Sequence, residues 1–362
     1  MPRRLTIDRV LFATVMLLCM GGLVMIYSAS AVIAAEQFDN PYHFLLRQIA
    51  ALVVGLVAMA AMIKTDYRAL RSGGIVYGTL CVTAVLLVVA LMSPSVNGTH
   101  RWIFLGPATL QPAEFAKLAI VLFLAWRLQR DPEDVNNLPR TVIPCVVLTG
   151  FLIFLVMLQP DLGTSVSLAL CVAVMFFAAG VRLRYLGAMA LTGLLVLVIA
   201  MKGYQMERLM SFLDPDSDPL GAGYQVIQSK ISVGAGGELG RGLGEGQQKL
   251  FFLPYPYTDF IFSVVGEELG LAGTGAIVVA FLILLWRGLR VASRAPDLFG
   301  CYLAAGITMF LVMQAFINMG VALGMLPAKG LPLPFVSYGG SSLVAGLMAS
   351  GLLLNISQHA HH

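Results

Sequence analysis

Long stretches without a charged residue constrain this chain more than any other feature. Residues 10–35 contain no Asp, Glu, Lys or Arg, and several later stretches are nearly as long. A helix needs about 20 mostly apolar residues to cross the hydrocarbon core of a bilayer. The 362-residue chain is 58% hydrophobic and only 12% charged, whereas roughly a quarter of an ordinary soluble domain is charged. The sequence therefore excludes a soluble enzyme and predicts a polytopic membrane protein.

Counting such stretches predicts ten transmembrane helices. The predicted spans cover 10–35, 44–63, 73–92, 112–128, 141–158, 162–181, 185–201, 259–286, 298–323 and 335–355. The expected fold class is all-α, as a single integral-membrane domain over residues 1–362. One large extracytoplasmic loop, 202–258, connects the seventh and eighth helices.

The distribution of Lys and Arg predicts how the chain is threaded, because cations in short loops are retained on the cytoplasmic side. Arginines precede the first span, and the loops after the second, fourth, sixth and eighth spans carry further cations. The short loops on the other side carry only Arg47, Arg101 and Lys329. We therefore expect both termini in the cytoplasm. The first span follows Arg3 and Arg4 as a secretory signal would, but it is too long for one.

Two charges interrupt the fourth span, and other charges lie in the short outer loops. Glu114 and Lys117 are three residues apart, so they share a helix face and can form an ion pair. Charged groups inside a span often mark a functional path, although a structural ion pair is an open alternative. Asp161 is either functional or a helix cap. Arg101 is placed to meet an anionic head group or to extend to the membrane surface.

The long loop ends in the most informative acidic residue. Asp259 lies at the start of the eighth span, where partial burial would make its carboxylate a better proton acceptor. Helix capping by Thr258 or Asp259 explains the pattern equally well. Further along the same helix, we expect Glu267 or Glu268 to face a polar interior. The glycine-rich stretch 234–246 suggests either a flexible loop or a phosphate-binding turn.

The last outer loop contains three prolines in 327–334, followed by Gly339-Gly-Ser-Ser342. Prolines prevent a regular helix, so we expect a rigid re-entrant-like loop that covers a cavity, with Lys329 as its one charge. Carboxylates and cations would then converge on the outer side of the bundle. Such a site suits an anionic lipid pyrophosphate, because a carboxylate can deprotonate the attacking hydroxyl while cations stabilise the leaving group.

Seven motifs together resemble one known family. They are Tyr27-Ser-Ala-Ser30, Gln111-Pro-Ala-Glu114-Phe-Ala-Lys117, Gln159-Pro-Asp161-Leu-Gly-Thr164, Gln247-Gln-Lys249 to Leu253-Pro254, Thr258-Asp259-Phe-Ile-Phe262, Glu267-Glu268-Leu-Gly270 and Pro334-Phe-Val-Ser337-Tyr338-Gly-Gly-Ser-Ser342. Over nearly its whole length the chain resembles the SEDS proteins (shape, elongation, division and sporulation), which include FtsW and RodA. The turn Pro327-Ala-Lys-Gly330 is more similar to FtsW than to RodA, although Ala328 replaces the usual threonine.

The resemblance implies a site and an activity. SEDS proteins are ten-span peptidoglycan glycosyltransferases that polymerise lipid II on the outer face of the cytoplasmic membrane. Their essential aspartate maps onto Asp259, which favours the catalytic interpretation. Glu114 and Lys117 map onto a polar pair in the central cavity, and Lys249 lies in the functional outer loop. With Arg101 and Lys329, these are the expected substrate-binding residues.

The resemblance also implies partners. We expect lipid II and the nascent glycan strand as substrates, a class B penicillin-binding protein as transpeptidase partner, other division or elongation membrane proteins, and no nucleic acid. No metal site is expected, and assistance by a divalent cation, Mg²⁺ or Mn²⁺, is left open. The alternatives are a RodA-type elongation polymerase of the same chemistry, a lipid II flippase or transporter, and a scaffold that only recruits a synthase.

Overall fold

The structure is a computed structural model. It describes residues 7–95, 98–106, 108–200, 212, 214, 223–250, 252–327 and 330–360. Its helices are α1 (Arg9–Phe38), α2 (His43–Lys64), α3 (Gly73–Met92), α4 (Pro112–Arg130), α5 (Ile143–Leu158), α6 (Leu162–Ala178), α7 (Leu183–Ala200), α8 (Tyr224–Gly236), α9 (Ile261–Ser293), α10 (Leu298–Ala322) and α11 (Gly340–His359). The predicted Lys329 lies outside the described residues.

The helices confirm a polytopic membrane protein. Within the described ranges, seven helical segments are long and apolar enough to span a bilayer: α1, α2, α3, Leu138–Leu158, α9, α10 and α11. The segment Leu138–Leu158 consists of a short π-helical turn, Leu138–Val142, and α5. Helix α6 and the segment Leu183–Val196 are apolar but shorter. Helix α4 carries the ionisable residues Glu114 and Lys117 within its apolar sequence. The predicted count of ten is therefore not established by length and composition alone.

The bundle has two ends, named here for residues that lie there. At the Arg9 end, the start of α1 meets the end of α9, since Arg287 pairs with Asp8. At the Asp259 end, the loop before α9 meets the end of α10, since the Asn318 side chain donates to the Asp259 carbonyl at 2.8 Å. Charged and polar contacts thus concentrate at the two ends of a largely apolar bundle.

Small residues let α11 pack closely against α2. A Cβ added at Gly351 would lie only 2.7 Å from the Met59 carbonyl oxygen, so a larger residue does not fit there. Near the end of α11, Asn355 donates to the Ile63 carbonyl at 2.7 Å and accepts from the Tyr67 N–H at 3.0 Å. These contacts fix α11, and with it the loop that precedes it.

Two departures from the predicted spans bear on the site. The polar segment before α4 forms a hairpin of β1 (Ile103–Leu105) and β2 (Ala108–Leu110), a small addition to a helical fold. The last helix begins at Gly340 rather than near 335. Residues 335–339 form a turn instead, because Phe335 has a φ of 67° and the Ser337 hydroxyl accepts from the Leu333 N–H at 2.8 Å.

Candidate active site

The segment that carries Asp259 is held from two sides. Asn318 of α10 donates to the carbonyl of Asp259 at 2.8 Å and to that of Leu331 at 2.7 Å. The Ser337 hydroxyl donates to the Thr258 carbonyl at 2.6 Å. The last loop and α10 therefore both fix the backbone at 258–259. Because these contacts are to backbone carbonyls, they position Asp259 without engaging its carboxylate.

The position of Asp259 differs from that of a helix cap. Helix α9 begins at Ile261, and the capping residue is Phe260, which has no side-chain cap. The Thr258 hydroxyl donates instead to the Tyr255 carbonyl at 3.3 Å. The helix therefore starts after Asp259, and the alternative that Thr258 or Asp259 caps it is wrong.

The Asp259 carboxylate faces a guanidinium across Gly330. A Cβ added at Gly330 would lie 3.2 Å from Oδ2 of Asp259 and 3.8 Å from Nη1 of Arg101. Asp259 is half-buried, and 22% of the Arg101 side chain is exposed. Because Gly330 has no side chain, an acid and a cation approach one point that remains accessible. This is the convergence that the sequence predicted for these two residues.

Among the described residues, Arg101 is anchored by the turn between α5 and α6. Its Nη1 lies 3.6 Å from Oδ2 of Asp161, and its Nη2 donates to the Pro160 carbonyl at 3.5 Å. Its buried Nε has no hydrogen-bond partner within the described part of the chain. A buried donor without a partner costs free energy that an anionic ligand would recover. Arg101 is thus suited to receive a further acceptor.

Asp161 is a helix cap, one of the two alternatives that its sequence position left open, and a functional role for it stays a prediction. It caps α6, accepting from the Thr164 N–H at 3.0 Å and from the Thr164 hydroxyl at 2.9 Å. The same carboxylate faces Arg101. A helix cap therefore also orients the guanidinium, because a buried carboxylate attracts a neighbouring cation.

Aromatic rings cluster around Tyr257, two residues before Asp259 in the sequence. Tyr257 stacks on Phe44 with ring centroids 4.5 Å apart, and it meets Tyr338 edge to face at 5.8 Å. Burial raises the pKa of Tyr257 and of Tyr338, although Arg47 partly opposes the effect at Tyr338. Both hydroxyls therefore stay protonated at neutral pH and can donate hydrogen bonds. The contact among Phe44, Tyr257 and Tyr338 was not predicted, because these residues come from three separate segments.

Glu114 and Lys117 form the predicted pair on one face of α4. The Lys117 ammonium lies 2.7 Å from Oε1 of Glu114 and 2.6 Å from Oε1 of Gln314. Gln314 in turn donates to the Pro332 carbonyl at 2.8 Å. Both charged side chains are almost completely buried. The pair connects α4 through α10 to the last loop, and a role in substrate binding stays a prediction.

Lys249 is held in a separate buried cluster. Its ammonium lies 2.6 Å from Oε1 of Glu268, 2.8 Å from the Gly244 carbonyl and 3.0 Å from the Ser28 hydroxyl. An ammonium group has three hydrogens, and these contacts account for all of them. Direct binding of a substrate would require Lys249 to exchange one of these partners. Its predicted contact with substrate stays a prediction.

The glycine-rich loop binds the chain's own carboxylates. The N–H groups of Gln247 and Gln248 donate to Glu267 at 2.8 and 3.2 Å, and that of Gly244 donates to Oε2 of Glu268 at 3.0 Å. Neither glutamate is exposed. Both face a polar interior, which exceeds the expectation that at least one would. These N–H groups are thus occupied by carboxylates rather than held ready for a phosphate.

The glycine-rich loop also forms hydrogen bonds with the backbone of α9 at a break in that helix. Gly270 has a φ of 63°, which interrupts the helix. The N–H of Leu271 donates to the Gly237 carbonyl at 2.9 Å, and the N–H of Arg241 donates to the Glu267 carbonyl at 3.0 Å. Backbone groups freed by the break are therefore paired, as a membrane interior requires. The Glu-Glu-Leu-Gly sequence gave no indication of this break.

No resident metal centre is evident from the donor groups. Within the ranges that the structure describes, no group of three or more His, Cys, Asp or Glu side chains is placed to hold a metal ion. The half-buried Asp259 carboxylate instead has Arg101 as a nearby cation. Among the described residues, the Arg101 guanidinium is thus one source of positive charge close to Asp259.

The fold and this site define a polytopic membrane protein with an acid and a cation facing each other at one end of a helical bundle. Residues 8–362 match the family model FTSW_RODA_SPOVE, described as a cell cycle protein. The chain therefore belongs to the FtsW/RodA/SpoVE family, the SEDS family. The resemblance predicted from the motifs is confirmed, including its FtsW-like character.

Relatives of known name extend the match along the chain. A probable peptidoglycan glycosyltransferase FtsW of Trichlorobacter lovleyi is 42% identical over 355 residues, covering 97% of this chain and 93% of that protein. The stage V sporulation protein E of Bacillus subtilis is 42% identical over 364 residues, covering 98% of both. The match is thus to whole proteins rather than to a shared fragment.

Solved structures show the same fold. One is a chain of a peptidoglycan synthase complex that coordinates polymerization and crosslinking, with a TM-score of 0.79, 34% identity and 97% coverage of each chain. Another is the rod shape determining protein RodA of Thermus thermophilus, with a TM-score of 0.73, 30% identity and 100% coverage of each. The helical arrangement is therefore a family property.

Proposed function

We propose that this protein polymerises lipid II into glycan strands on the outer face of the bacterial cytoplasmic membrane. The observation that carries the proposal is the half-buried Asp259 carboxylate facing Arg101 across Gly330. Membership of a family whose relatives are named peptidoglycan glycosyltransferases supports the same chemistry. The FtsW relatives favour a role in cell division over a RodA-type role in elongation.

The proposed reaction uses Asp259 as the general base. Its carboxylate accepts the proton of the GlcNAc 4-hydroxyl of lipid II as that oxygen attacks the anomeric carbon of the growing strand. The bond between that carbon and the pyrophosphate oxygen breaks, and undecaprenyl pyrophosphate leaves with the bonding electrons. Attack from the opposite face converts the α-linked donor into a β-1,4 product. General base catalysis of this kind contributes about 10² to 10⁴ in rate.

The leaving pyrophosphate needs positive charge close to the breaking bond. Arg101 is the best placed of the proposed substrate-binding residues, because its Nε lacks a partner among the described residues and its Nη1 lies near Asp259. Lys117, Lys249 and Lys329 remain proposed contributors. Glu114 also remains a proposed contributor, and it would hold Lys117 in place, since the two are paired at 2.7 Å.

The reaction as written requires no resident metal ion. A divalent cation, Mg²⁺ or Mn²⁺, would supply additional positive charge if it arrived bound to the pyrophosphate. The chain's own residues would still take the proton, through Asp259, and orient the leaving group, through Arg101. This division of roles agrees with the nearby guanidinium at Asp259.

The proposed topology has ten crossings within one domain over residues 1–362. Length and composition identify seven spans, and helices α4, α6 and α7 would add three more. Arginines dominate the Arg9 end, which we assign to the cytoplasm together with both termini. The Asp259 end, with the loop 202–258, would then face outward. Asp259 would thereby meet lipid II in the outer leaflet.

We also propose a class B penicillin-binding protein as partner. The related synthase complex couples polymerization to crosslinking, so a transpeptidase would act on the strands as they form. Other membrane proteins of the division machinery would bind the same complex, and lipid II and the nascent strand would be its small-molecule partners. No nucleic acid takes part.

One assay separates the candidate functions. The purified protein is reconstituted in vesicles with fluorescent lipid II, alone and with a class B penicillin-binding protein, and both glycan strands and lipid movement between leaflets are recorded. A polymerase produces strands. A flippase would move lipid II without forming strands, and a scaffold would do neither. Movement without strands in both samples would contradict the proposed function.

A further inference from the structure

The Arg9 end contains a cavity that the proposed reaction does not use. The start of α1, the end of α9 and the end of α11 border an open cavity of about 330 Å³ there. Four arginines line it: Arg9, Arg287, Arg290 and Arg294. The cavity lies at the opposite end of the bundle from Asp259. Any ligand bound here is therefore distinct from the substrate of the outer site.

The cavity has a large excess of positive charge. Asp8 is the one carboxylate among its lining residues, and Arg287 pairs with it through Nε at 2.8 Å. The other oxygen of Asp8 accepts from the Leu11 N–H at 3.0 Å. Within the described residues, the three remaining arginines have no acidic partner at ion-pair distance. The lining therefore carries three positive charges that no carboxylate of the described residues compensates.

The surrounding backbone does not neutralise this excess. Through their helix dipoles, the ends of α9 and α11 each contribute about half a negative charge, and the start of α1 contributes about half a positive charge. Like charges gathered around one cavity repel each other, so an anion that enters it is stabilised. Guanidinium groups bind phosphate oxygens through paired N–H donors, a geometry that ammonium groups do not offer. The chemistry of the lining thus favours a phosphate group.

The walls of the cavity favour a lipid over a free phosphate. Apolar Val10 and Val291 line it beside the arginines, and Val10 is 44% exposed. Trp286 is 59% exposed and lies against two of the arginines, with Arg287 and Arg290 at 5.4 and 6.0 Å from the ring centroid. Exposed tryptophans concentrate at the depth of lipid head groups. A head group in the cavity would leave its acyl chains along the apolar faces of α1 and α9.

We propose that this cavity binds the phosphate group of an anionic phospholipid of the adjacent leaflet. Basic pockets between transmembrane helices commonly hold such head groups. The bound lipid would connect residues from α1 and α9 that are far apart in the sequence. It would add to the ion pair between Asp8 and Arg287, which joins the same two elements.

The test measures lipid retention by native mass spectrometry. Purified protein is titrated with phosphatidylglycerol, which is anionic, and with phosphatidylethanolamine, which is zwitterionic. The variant Arg290→Gln/Arg294→Gln removes two unpaired charges, and Arg182→Gln/Arg184→Gln removes two arginines outside the cavity as a matched control. We expect phosphatidylglycerol to bind about 30-fold more weakly to the cavity variant, since each arginine contributes about 1 kcal/mol. The control should stay within about twofold of the unmodified protein.

Three results would overturn the proposal. Equal weakening in both variants would show that overall charge, and not the cavity, attracts the lipid. Equal binding of the two phospholipids would show that the head-group charge is irrelevant. Displacement of phosphatidylglycerol by an equal concentration of inorganic phosphate would show a site for free phosphate. If the double variant does not fold, the exposed Arg294→Gln alone should weaken phosphatidylglycerol binding about fivefold.

Discussion

Asp259 and the pair Glu267 and Glu268 lie close together in sequence, yet their carboxylates occupy opposite environments. Asp259 is half-buried and faces Arg101 across a residue without a side chain. Glu267 and Glu268 are fully buried and accept hydrogen bonds from the glycine-rich loop. The difference indicates which carboxylate can react. The carboxylates of Glu267 and Glu268 are enclosed by hydrogen-bond donors and stabilise the fold. The Asp259 carboxylate is accessible and lies beside a cation, so it can exchange a proton.

The cations Lys249 and Arg101 differ in the same way, one being enclosed and the other accessible. The Lys249 ammonium donates its three hydrogen bonds to Glu268, Gly244 and Ser28, so it fixes the glycine-rich loop. Arg101 keeps a buried Nε that has no partner in the described ranges. Charge alone would not separate these roles, but the number of satisfied donors does.

The largest effect is expected at the accessible carboxylate. Asp259→Asn keeps the size of the side chain but removes the proton acceptor, so lipid II polymerisation should fall about 10³-fold. The thermal unfolding midpoint should change little, because neighbouring residues hold the backbone at 259. The exposed Asp39→Asn is the matched control and should retain full activity. Equal activity in both variants would remove the distinction between the two kinds of carboxylate.

The enclosed pair should instead control stability. Lys249→Met leaves the Glu268 charge buried without its cation, which should cost about 3–5 kcal/mol of unfolding free energy. Removing both charges in Lys249→Met/Glu268→Gln should recover part of this loss, because no buried charge is then unpaired. The thermal unfolding of both variants in detergent measures the difference. A single variant as stable as the unmodified protein would show that the pair is not structural.

Two glycines of the same loop provide a smaller, purely steric comparison. A Cβ at Gly240 would lie 2.1 Å from the Glu268 carbonyl oxygen, whereas at Gly237 it would meet open space. Both residues have positive φ, so each alanine adds backbone strain of about 1 kcal/mol or more. Gly240→Ala should be clearly the more destabilising, because the loop must move away from α9. Equal unfolding midpoints would argue against close packing of the loop on the helix break.

Sequence reasoning succeeded where the information is local. Apolar stretches fix the helices because burial in lipid requires them, and the spacing of Glu114 and Lys117 puts both on one face. The partner of Lys249 was not predictable in the same way, because Glu268 reaches it only through the path of the glycine-rich loop. The contact of Arg101 with Asp161 depends on how separate helices pack, which no local pattern records.

The smallest expected effect lies at the Arg9 end. Partial burial of Asp297 raises its pKa, but hydrogen bonds from Tyr67 and Gly300 and the charge of Arg68 outweigh this and lower it overall. Asp297 therefore stabilises the fold fully above the ordinary pKa of a carboxyl group, and this stabilisation is lost as the pH falls through the lowered pKa. Asp297→Asn should flatten the acid side of a plot of unfolding midpoint against pH. An unchanged slope would contradict this contribution.

The proposed base is tested most directly by chemical rescue. Asp259→Ala removes the carboxylate and leaves space in which a small carboxylate can bind, so the rate of glycan formation from lipid II is measured with and without added formate. The variant should be inactive alone and should regain part of the activity with formate, which replaces the proton acceptor. Equal rates with and without formate would contradict the role of Asp259 as the general base.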